Sequence, residues 1–176
     1  MAAGRGSGLR AVNRIVSASV PATAGLEPYE FVLQPAWCDY NEHFSDGYYL
    51  VAFSMAAERA LDALGLGARY RAQGHFSVYT VESQVRYLRE AKAGDALLIR
   101  QWLLKHDLKR IWLQQEMLRG HTLVASCTFV YLHVDTSIPR AAPFPTAILH
   151  RMAEHCRTDA GGAIAAGRPT PPGGLR

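Results

Sequence analysis

The stretch Trp37–Tyr49, which reads W-C-D-Y-N-E-H-F-S-D-G-Y-Y, is the most informative part of this sequence. Its polar side chains crowd together at Asp39, Asn41, Glu42 and His43, and the almost uninterrupted apolar segment Tyr48–Leu64 follows directly. Such a cluster is a poor way to build a core. It suits a site, because the first turn of a helix offers free N–H groups and a positive dipole end to a ligand. We therefore expect a functional site at the start of a buried helix.

The apolar segment predicts a helix from Gly47 to Leu64, with Ser45 or Asp46 as N-cap and Gly65 as its stop. Apolar residues recur along it at helical spacing. Small residues line much of the remainder, so the helix can lie close against a sheet; they are Ala52, Ala56, Ala60 and Ala63.

Strands are predicted on both sides of this helix. A short strand, Tyr29–Gln34, precedes the polar loop, and after Gly74 the hydrophobic period changes from helical to two. The pattern predicts a four-strand antiparallel meander over residues 75–90, 97–105, 111–119 and 123–134, and then a helix, Thr146–Cys156. One helix on one antiparallel sheet is an α+β domain.

The first strand of the meander alternates in part, which predicts the residues on each of its faces. One face carries Tyr79, Val81, Val85 and Tyr87, and the other carries Thr80, Glu82, Gln84 and Arg86.

The folded unit is expected at residues 27–157 of 176, a usual size for one domain. Residues 1–26 contain three arginines and no acidic residue, which favours a disordered extension, with a mitochondrial presequence as the alternative. Residues 158–176 are rich in Gly, Pro and Ala and are predicted to be a disordered tail.

Composition excludes several classes of function. The sequence contains no run of ~18 apolar residues, the length that a membrane-spanning helix needs. The formal net charge of +4 is small, and the Lys and Arg residues are scattered along the sequence, so nucleic acid is not favoured as a partner. Three widely spaced cysteines argue against a disulfide framework and a zinc site, and they fit a reducing compartment such as the cytoplasm. We expect neither a metal nor a cofactor.

A long helix wrapped by an antiparallel sheet, entered through a D-x-x-x-H loop, resembles the hotdog fold. The loop is similar to that of thioesterases of the 4-hydroxybenzoyl-CoA thioesterase class, whose pattern is roughly D-x-x-G-H-x-N-N-x-x-Y. Asp39 stands at the catalytic carboxylate of this pattern, His43 at its His, Asp46 at its second Asn and Tyr49 at its Tyr. The chain departs from the pattern at Glu42, where the family has Gly, and at Ser45, which replaces the first Asn.

Four further motifs resemble one branch, the betainyl-CoA thioesterases of carnitine breakdown, and the likeness covers roughly residues 29–150. The motifs are Y-T-V-E at 79–82, the Gly94-Asp95 turn, D-L-K-R at 107–110 and L-H-V-D at 132–135. The resemblance implies hydrolysis of a short-chain acyl-CoA, with betainyl-CoA as the candidate substrate.

The resemblance also implies roles for the loop. Asp39 would attack the thioester carbonyl, either through a water for which it is the general base or as a direct nucleophile. Backbone amides near Asp46 and Gly47 would stabilise the oxyanion. His43 would either orient the loop or contact the substrate.

Other residues are expected to bind the substrate. Thr80 and Glu82 lie on a strand that borders the pocket in related folds, although a solvent-facing role is equally open to them. The aromatic candidates for a quaternary ammonium are Trp37, Tyr40, Tyr48, Tyr49 and Tyr79. Asn41 belongs to the loop, and the candidates for the CoA phosphates are Lys109, Arg110, Arg86 and Arg89.

Two alternatives stay open, a hotdog hydratase or dehydratase and a non-catalytic acyl-CoA-binding hotdog domain.

A lone hotdog buries only one face of its sheet, so we expect a homodimer or a homotetramer.

Overall fold

The computed structural model describes residues 26–156. The helices are α1 (Asp46–Ala63), α2 (Ala68–Ala72) and α3 (Thr146–His155), with one 3₁₀ turn at Pro35–Trp37. The strands are β1 (Leu26–Val32), β2 (Phe76–Tyr87), β3 (Ala96–His106), β4 (Arg110–Arg119), β5 (Thr122–Asp135) and β6 (Arg140–Ala141). The predicted N-terminal extension and C-terminal tail lie outside the described residues, apart from Leu26, which begins β1.

One antiparallel sheet of six strands wraps α1. Its order is β1-β3-β4-β5-β2, and β6 pairs with the end of β5. The predicted α+β architecture is therefore confirmed. No helix among residues 26–156 is long and apolar enough to cross a membrane.

The long helix forms as its sequence predicts. It runs from Asp46 to Ala63 with Ser45 as N-cap, and Gly65 follows its end at φ 77°, the left-handed conformation that glycine adopts without penalty. Its small side chains let it lie against the sheet, because Ala52, Ala56 and Ala60 are buried to 1% exposure or less.

The core lies between α1 and the concave face of the sheet. Phe53 of α1 and Leu103, Leu113 and Met117 of the sheet are almost completely buried. One polar chain crosses this core: the Gln115 side-chain amide donates to the Phe53 carbonyl at 3.1 Å and to the Gln101 side chain at 2.9 Å.

The predicted four-strand meander is wrong in its first strand. Only β3, β4 and β5 form a meander, since β2 pairs with β5 at the far edge of the sheet. The segment between β2 and β3 binds the loop and the end of β1 instead: the Ala91 carbonyl accepts from the Phe44 amide, and the Asp95 carbonyl accepts from the Leu33 amide, both at 2.9 Å. Because this segment crosses to β1, β3 begins beside β1 rather than beside β2.

The predicted faces of β2 are correct from Glu82 to Tyr87 but wrong for Tyr79 and Thr80. The register with β5 shifts at Val81, so that Thr80 lies opposite Tyr131 while Val85 lies opposite Cys127. Directly opposed residues share a face of the sheet, and a β-bulge inserts one residue and switches the alternation. Thr80 therefore lies on the concave face with Val85 and Tyr87, and Tyr79 lies on the convex face.

Candidate active site

An aromatic stack fixes the polar loop against the start of α1. Phe44 precedes the N-cap and packs on Tyr49, with ring centroids 4.0 Å apart, which is the arrangement of a hydrophobic staple. Trp37 stacks on Phe44 at 6.1 Å and on Tyr48 at 5.6 Å. The chain therefore enters the helix at a fixed angle.

The loop itself is a tight turn closed by Asp39. The Asp39 amide donates to the His43 carbonyl at 2.8 Å, and the Glu42 amide donates to the Asp39 carbonyl at 3.0 Å. The Asp39 carboxylate accepts through Oδ1 from the amides of Asn41 at 2.8 Å and His43 at 3.2 Å. Its second oxygen, Oδ2, has no hydrogen-bond partner among residues 26–156, so the carboxylate both shapes the loop and keeps one oxygen available.

Glu42 makes this turn with a left-handed backbone. Its φ of 63° is the one positive value at a non-glycine residue in the described part of the chain. The pattern that the loop resembles has Gly at this position, and Gly has no Cβ to clash in the left-handed conformation. The loop therefore holds a backbone shape suited to glycine although it carries a glutamate.

The start of α1 leaves a donor available beside Asp39. The Asp46 side chain accepts from the Gly47 amide at 2.7 Å, and the amides of Tyr48 and Tyr49 both donate to the Ser45 carbonyl. The Asp46 amide has no acceptor within the described ranges. A Cβ placed on Gly47 would meet no atom within 4 Å, so the space beside this residue is open.

A cleft of about 410 Å³ lies over the loop and the helix start. Its walls are Asp39, His43, Phe44, Asp46, Tyr49, Tyr87, Leu88, Arg89 and Glu90. Five of the predicted residues thus meet in one place, namely Asp39, His43, Asp46, Tyr49 and the phosphate candidate Arg89. A volume of this size is usual for a small-molecule site.

Two tyrosines from different elements meet in the wall of this cleft. The rings of Tyr49 and Tyr87 cross edge to face at 5.2 Å, and the Tyr87 hydroxyl donates to the Asp46 carbonyl at 3.2 Å. Burial, and next the nearby Tyr87, raises the pKa of Tyr49 to about 12. Burial, followed by the Asp46 charge, also raises the pKa of Tyr87. Both phenols therefore stay protonated at neutral pH and cannot serve as phenolate bases.

His43 projects across the cleft toward β2. Its Nε2 lies 3.3 Å from a carboxylate oxygen of Glu90, whose side chain is 72% exposed. An ion pair this exposed contributes little to stability. It does hold the imidazole beside the carboxylates of the cleft.

The remaining predicted residues do not line this cleft within one chain. Tyr40 is 95% exposed, and Asn41 contributes its backbone amide to the turn. Tyr79, Thr80 and Glu82 lie further along β2, and the Thr80 side chain hydrogen-bonds to the buried Tyr131. Lys109 lines a separate cleft of about 430 Å³ at the β3–β4 turn.

Sequence reasoning missed Tyr87 and Glu90 as members of the site. The one sequence feature that could have indicated them is the aromatic and charged end of the predicted strand before the Gly94 turn. Their position depends on the pairing of β2 with β5 and on the path of residues 88–95, which no local pattern reveals.

A second cleft, of about 480 Å³, adjoins the first. It shares Leu88, Arg89 and Glu90 with it and adds the basic side chains of Lys92 and Arg119. Arg119 pairs with Asp95 at 2.7 Å.

Across residues 26–156, no group of three or more His, Cys, Asp or Glu side chains is arranged to hold a metal ion.

Comparison with known proteins places this geometry in a family. The family model for the thioesterase-like superfamily matches residues 33–152, which include the loop, α1 and all of the cleft. A betainyl-CoA thioesterase of Pseudomonas aeruginosa is 37% identical over 131 residues, covering 72% of this chain and 81% of that protein.

A fused L-carnitine dehydrogenase/betainyl-CoA thioesterase of Agrobacterium fabrum is 38% identical over 135 residues. The match covers 76% of this chain but only 28% of that protein, so this chain spans about a quarter of the fused relative. Among solved structures, a putative thioesterase from Pseudomonas putida has a TM-score of 0.69 and 27% identity, with 85% of this chain and 96% of that chain covered.

The fold, the loop and the similarity of sequence agree, and the expected hotdog fold is confirmed. The chain belongs to the thioesterase-like superfamily.

Proposed function

We propose that this chain is an acyl-CoA thioesterase that hydrolyses a short-chain acyl-CoA to the free acid and CoA. One observation carries the proposal: the Asp39 carboxylate, with Oδ2 available, lies at the open start of α1 in the cleft. The names of the relatives support it, since the proteins from Pseudomonas aeruginosa and Agrobacterium fabrum both carry a thioesterase name.

Asp39 supplies the attack on the thioester carbonyl by one of two routes. As a general base, it takes a proton from a water whose oxygen bonds to the carbonyl carbon. As a nucleophile, its carboxylate oxygen forms an anhydride that water then hydrolyses. In both routes the carbon–sulfur bond breaks and CoA leaves as the thiol.

The Asp46 amide stabilises the oxyanion that forms during this attack. It belongs to the first residue of α1, where the helix leaves its N–H groups unsatisfied, and Asp46 lines the cleft. The Gly47 amide is held by the Asp46 carboxylate and becomes a second donor only if that side chain rotates away. His43, beside Glu90, orients the loop or contacts the substrate.

The substrate we propose is betainyl-CoA, on the basis of the relatives' names. Of the aromatic residues expected to meet its cation, Tyr49 lines the cleft, whereas Trp37 and Tyr48 are engaged in the aromatic stack. Lys109, at the β3–β4 turn, stays our candidate for the CoA phosphates.

A second copy of the chain completes the sheet. In the described part of the chain, β2 pairs with β5 on one side and with no strand on the other, over 12 residues. It exposes the large apolar side chains of Tyr79 and Val81, each by 53% or more. A long apolar edge is a template for pairing with another strand, so we propose a homodimer through β2, or a homotetramer built from two such dimers.

The compartment we propose is the cytoplasm. The three cysteines all lie in the described part of the chain and are free, as expected in a reducing environment. The mitochondrial alternative rests on residues 1–26, which lie outside the described residues.

Release of free thiol from a panel of acyl-CoA substrates, including betainyl-CoA, tests the proposal. We expect thiol release in proportion to enzyme, with betainyl-CoA among the best substrates. Binding of acyl-CoA without thiol release would favour the non-catalytic alternative, and hydration of an enoyl-CoA without thiol release would favour the hydratase.

A further inference from the structure

The cleft combines aromatic surface with a surplus of carboxylates. The ring of Tyr87 is 53% exposed and stands edge to face with Tyr49. Carboxylates line the same cleft at Asp39, Asp46 and Glu90, and its basic side chains are His43 and Arg89.

This combination suits one chemical class of acyl group. A quaternary ammonium has no N–H to donate, so a protein recognises it through aromatic faces and negative charge. Carboxylates that bind a neutral acyl group gain nothing from it, because they would lose water without a compensating partner.

The position of the cleft adds a constraint. In a betainyl group, the ammonium nitrogen is one carbon away from the thioester carbonyl. The groups that recognise the cation must therefore lie beside the group that attacks the carbonyl, in the same cleft as Asp39. Tyr87 and Glu90 meet this condition, whereas the exposed ring of Tyr79 lies on the convex face of the sheet.

We propose that Tyr87 and Glu90 are specificity-determining residues that select an acyl group with a quaternary ammonium next to the thioester carbonyl. This inference rests on the proposed function, and it names the residues that distinguish a charged acyl group from a neutral one. The Tyr87 ring presents its face to the methylated cation, and the Glu90 carboxylate in the same cleft supplies negative charge. His43 and Arg89 moderate the negative potential but do not cancel it, because three carboxylates share the cleft.

The test compares two substrates of the same shape and different charge. Betainyl-CoA and 3,3-dimethylbutanoyl-CoA differ in one atom, a charged nitrogen in place of a carbon. The readout is the ratio of their kcat/KM values, which a general loss of folding or of catalysis does not change. We expect a ratio of about ten or more in favour of betainyl-CoA in the unaltered protein.

Substitutions at the two residues should lower this ratio. Tyr87→Leu removes the ring and should reduce it about tenfold, whereas Tyr87→Phe keeps the ring face and should preserve it within about twofold. Glu90→Gln should reduce it about three- to tenfold, because the charge is lost and the shape is kept. Glu30→Gln, an exposed change on β1, is the matched charge control and should leave the ratio unchanged.

The outcomes separate this inference from the proposed function. A ratio near one in the unaltered protein, or an unchanged ratio in both Tyr87→Leu and Glu90→Gln, would overturn the selectivity assigned here and leave thioester hydrolysis intact. Release of no thiol from any acyl-CoA would overturn both.

Discussion

The Asp39 side chain accepts a hydrogen bond from the Asn41 backbone amide at 2.8 Å, and the same oxygen accepts from the His43 amide at 3.2 Å. This contact gives one carboxylate oxygen a structural role and leaves the other to the cleft. A carboxylate fixed in this way needs no reorganisation before it acts, which is the general requirement for an efficient catalytic group. The contacts by which Asp39 closes the loop are thus compatible with its proposed role as catalyst.

The Asp46 amide can be removed without removing the helix start. Asp46 is the first residue of α1, where proline is favoured, and the preceding Ser45 has φ −66° and ψ 139°, which a following proline accepts. If this amide stabilises the oxyanion, Asp46→Pro should lower kcat about 10²–10³-fold with little change in Tm. Asp46→Ala, which keeps the amide and removes the carboxylate, is the control and should lose far less activity; similar losses in both variants would assign the role to the side chain.

Glu42 holds a left-handed backbone that glycine would adopt without strain. Because relief of the clash outweighs the extra entropy of glycine in the unfolded chain, Glu42→Gly should stabilise the protein by about 0.5–1 kcal/mol, or a few degrees in Tm. Glu42→Ala keeps the strained Cβ and should give no gain. A fall in Tm for the glycine variant in thermal unfolding would show that the glutamate side chain stabilises the turn.

The buried His133 should make the folded protein sensitive to acid. Its Nδ1 lies 2.9 Å from the Ala142 carbonyl, which can only accept, so Nδ1 carries the proton and Nε2 accepts from the Tyr70 hydroxyl at 2.8 Å. Burial is the main cause that lowers the pKa of His133 below its ordinary 6.5, against the opposing effects of the Ala142 carbonyl and the Asp135 charge.

Since the unfolded chain binds this proton more readily, the stability that neutral His133 contributes is complete above about pH 6.5. It is lost as the pH falls from there through the lower pKa of the folded state. Chemical denaturation between pH 7.5 and pH 5 should show a smaller loss of stability for His133→Gln than for the unaltered protein. His121→Gln, at an exposed turn, should behave as the unaltered protein does; equal pH slopes in all three would contradict the assignment.

The exposed edge of β2 should govern assembly. Val81, which is 55% exposed, lies at the bulge of this strand, and a lysine there opposes pairing with a second copy. Val81→Lys should therefore shift a dimer toward monomer in light scattering over a range of concentrations. Val32→Lys, at a similarly exposed valine of β1, is the control and should stay dimeric. A monomeric unaltered protein would contradict the proposed dimer.

Local sequence patterns were sufficient to predict much of this structure. The length of α1, its stop at Gly65 and the positions of β3, β4 and β5 follow from hydrophobic periodicity and from glycine, because both act over a few residues. Asp39, His43, Asp46 and Tyr49 were predicted as site residues and meet in one cleft because they belong to one loop and the first turn of one helix.

The rest depended on contacts between distant parts of the chain. The place of β2 beside β5 is set by residues 88–95, which bind the polar loop rather than turning back along β2. The bulge at Val81 reversed the predicted faces of Tyr79 and Thr80, and an alternating pattern does not mark a single inserted residue. Tyr87 and Glu90 were missed as site residues for the same reason, since only the fold brings them to the loop.

Thioester hydrolysis by Asp39→Asn tests whether Asp39 is the catalytic carboxylate. The asparagine carbonyl oxygen can still accept from the amides of Asn41 and His43, so the loop should keep its shape and Tm should change by no more than a few degrees. We predict that kcat for betainyl-CoA falls at least about 10²-fold, while the affinity for a non-hydrolysable acyl-CoA analogue is retained. Thiol release by this variant at the rate of the unaltered protein would contradict the account.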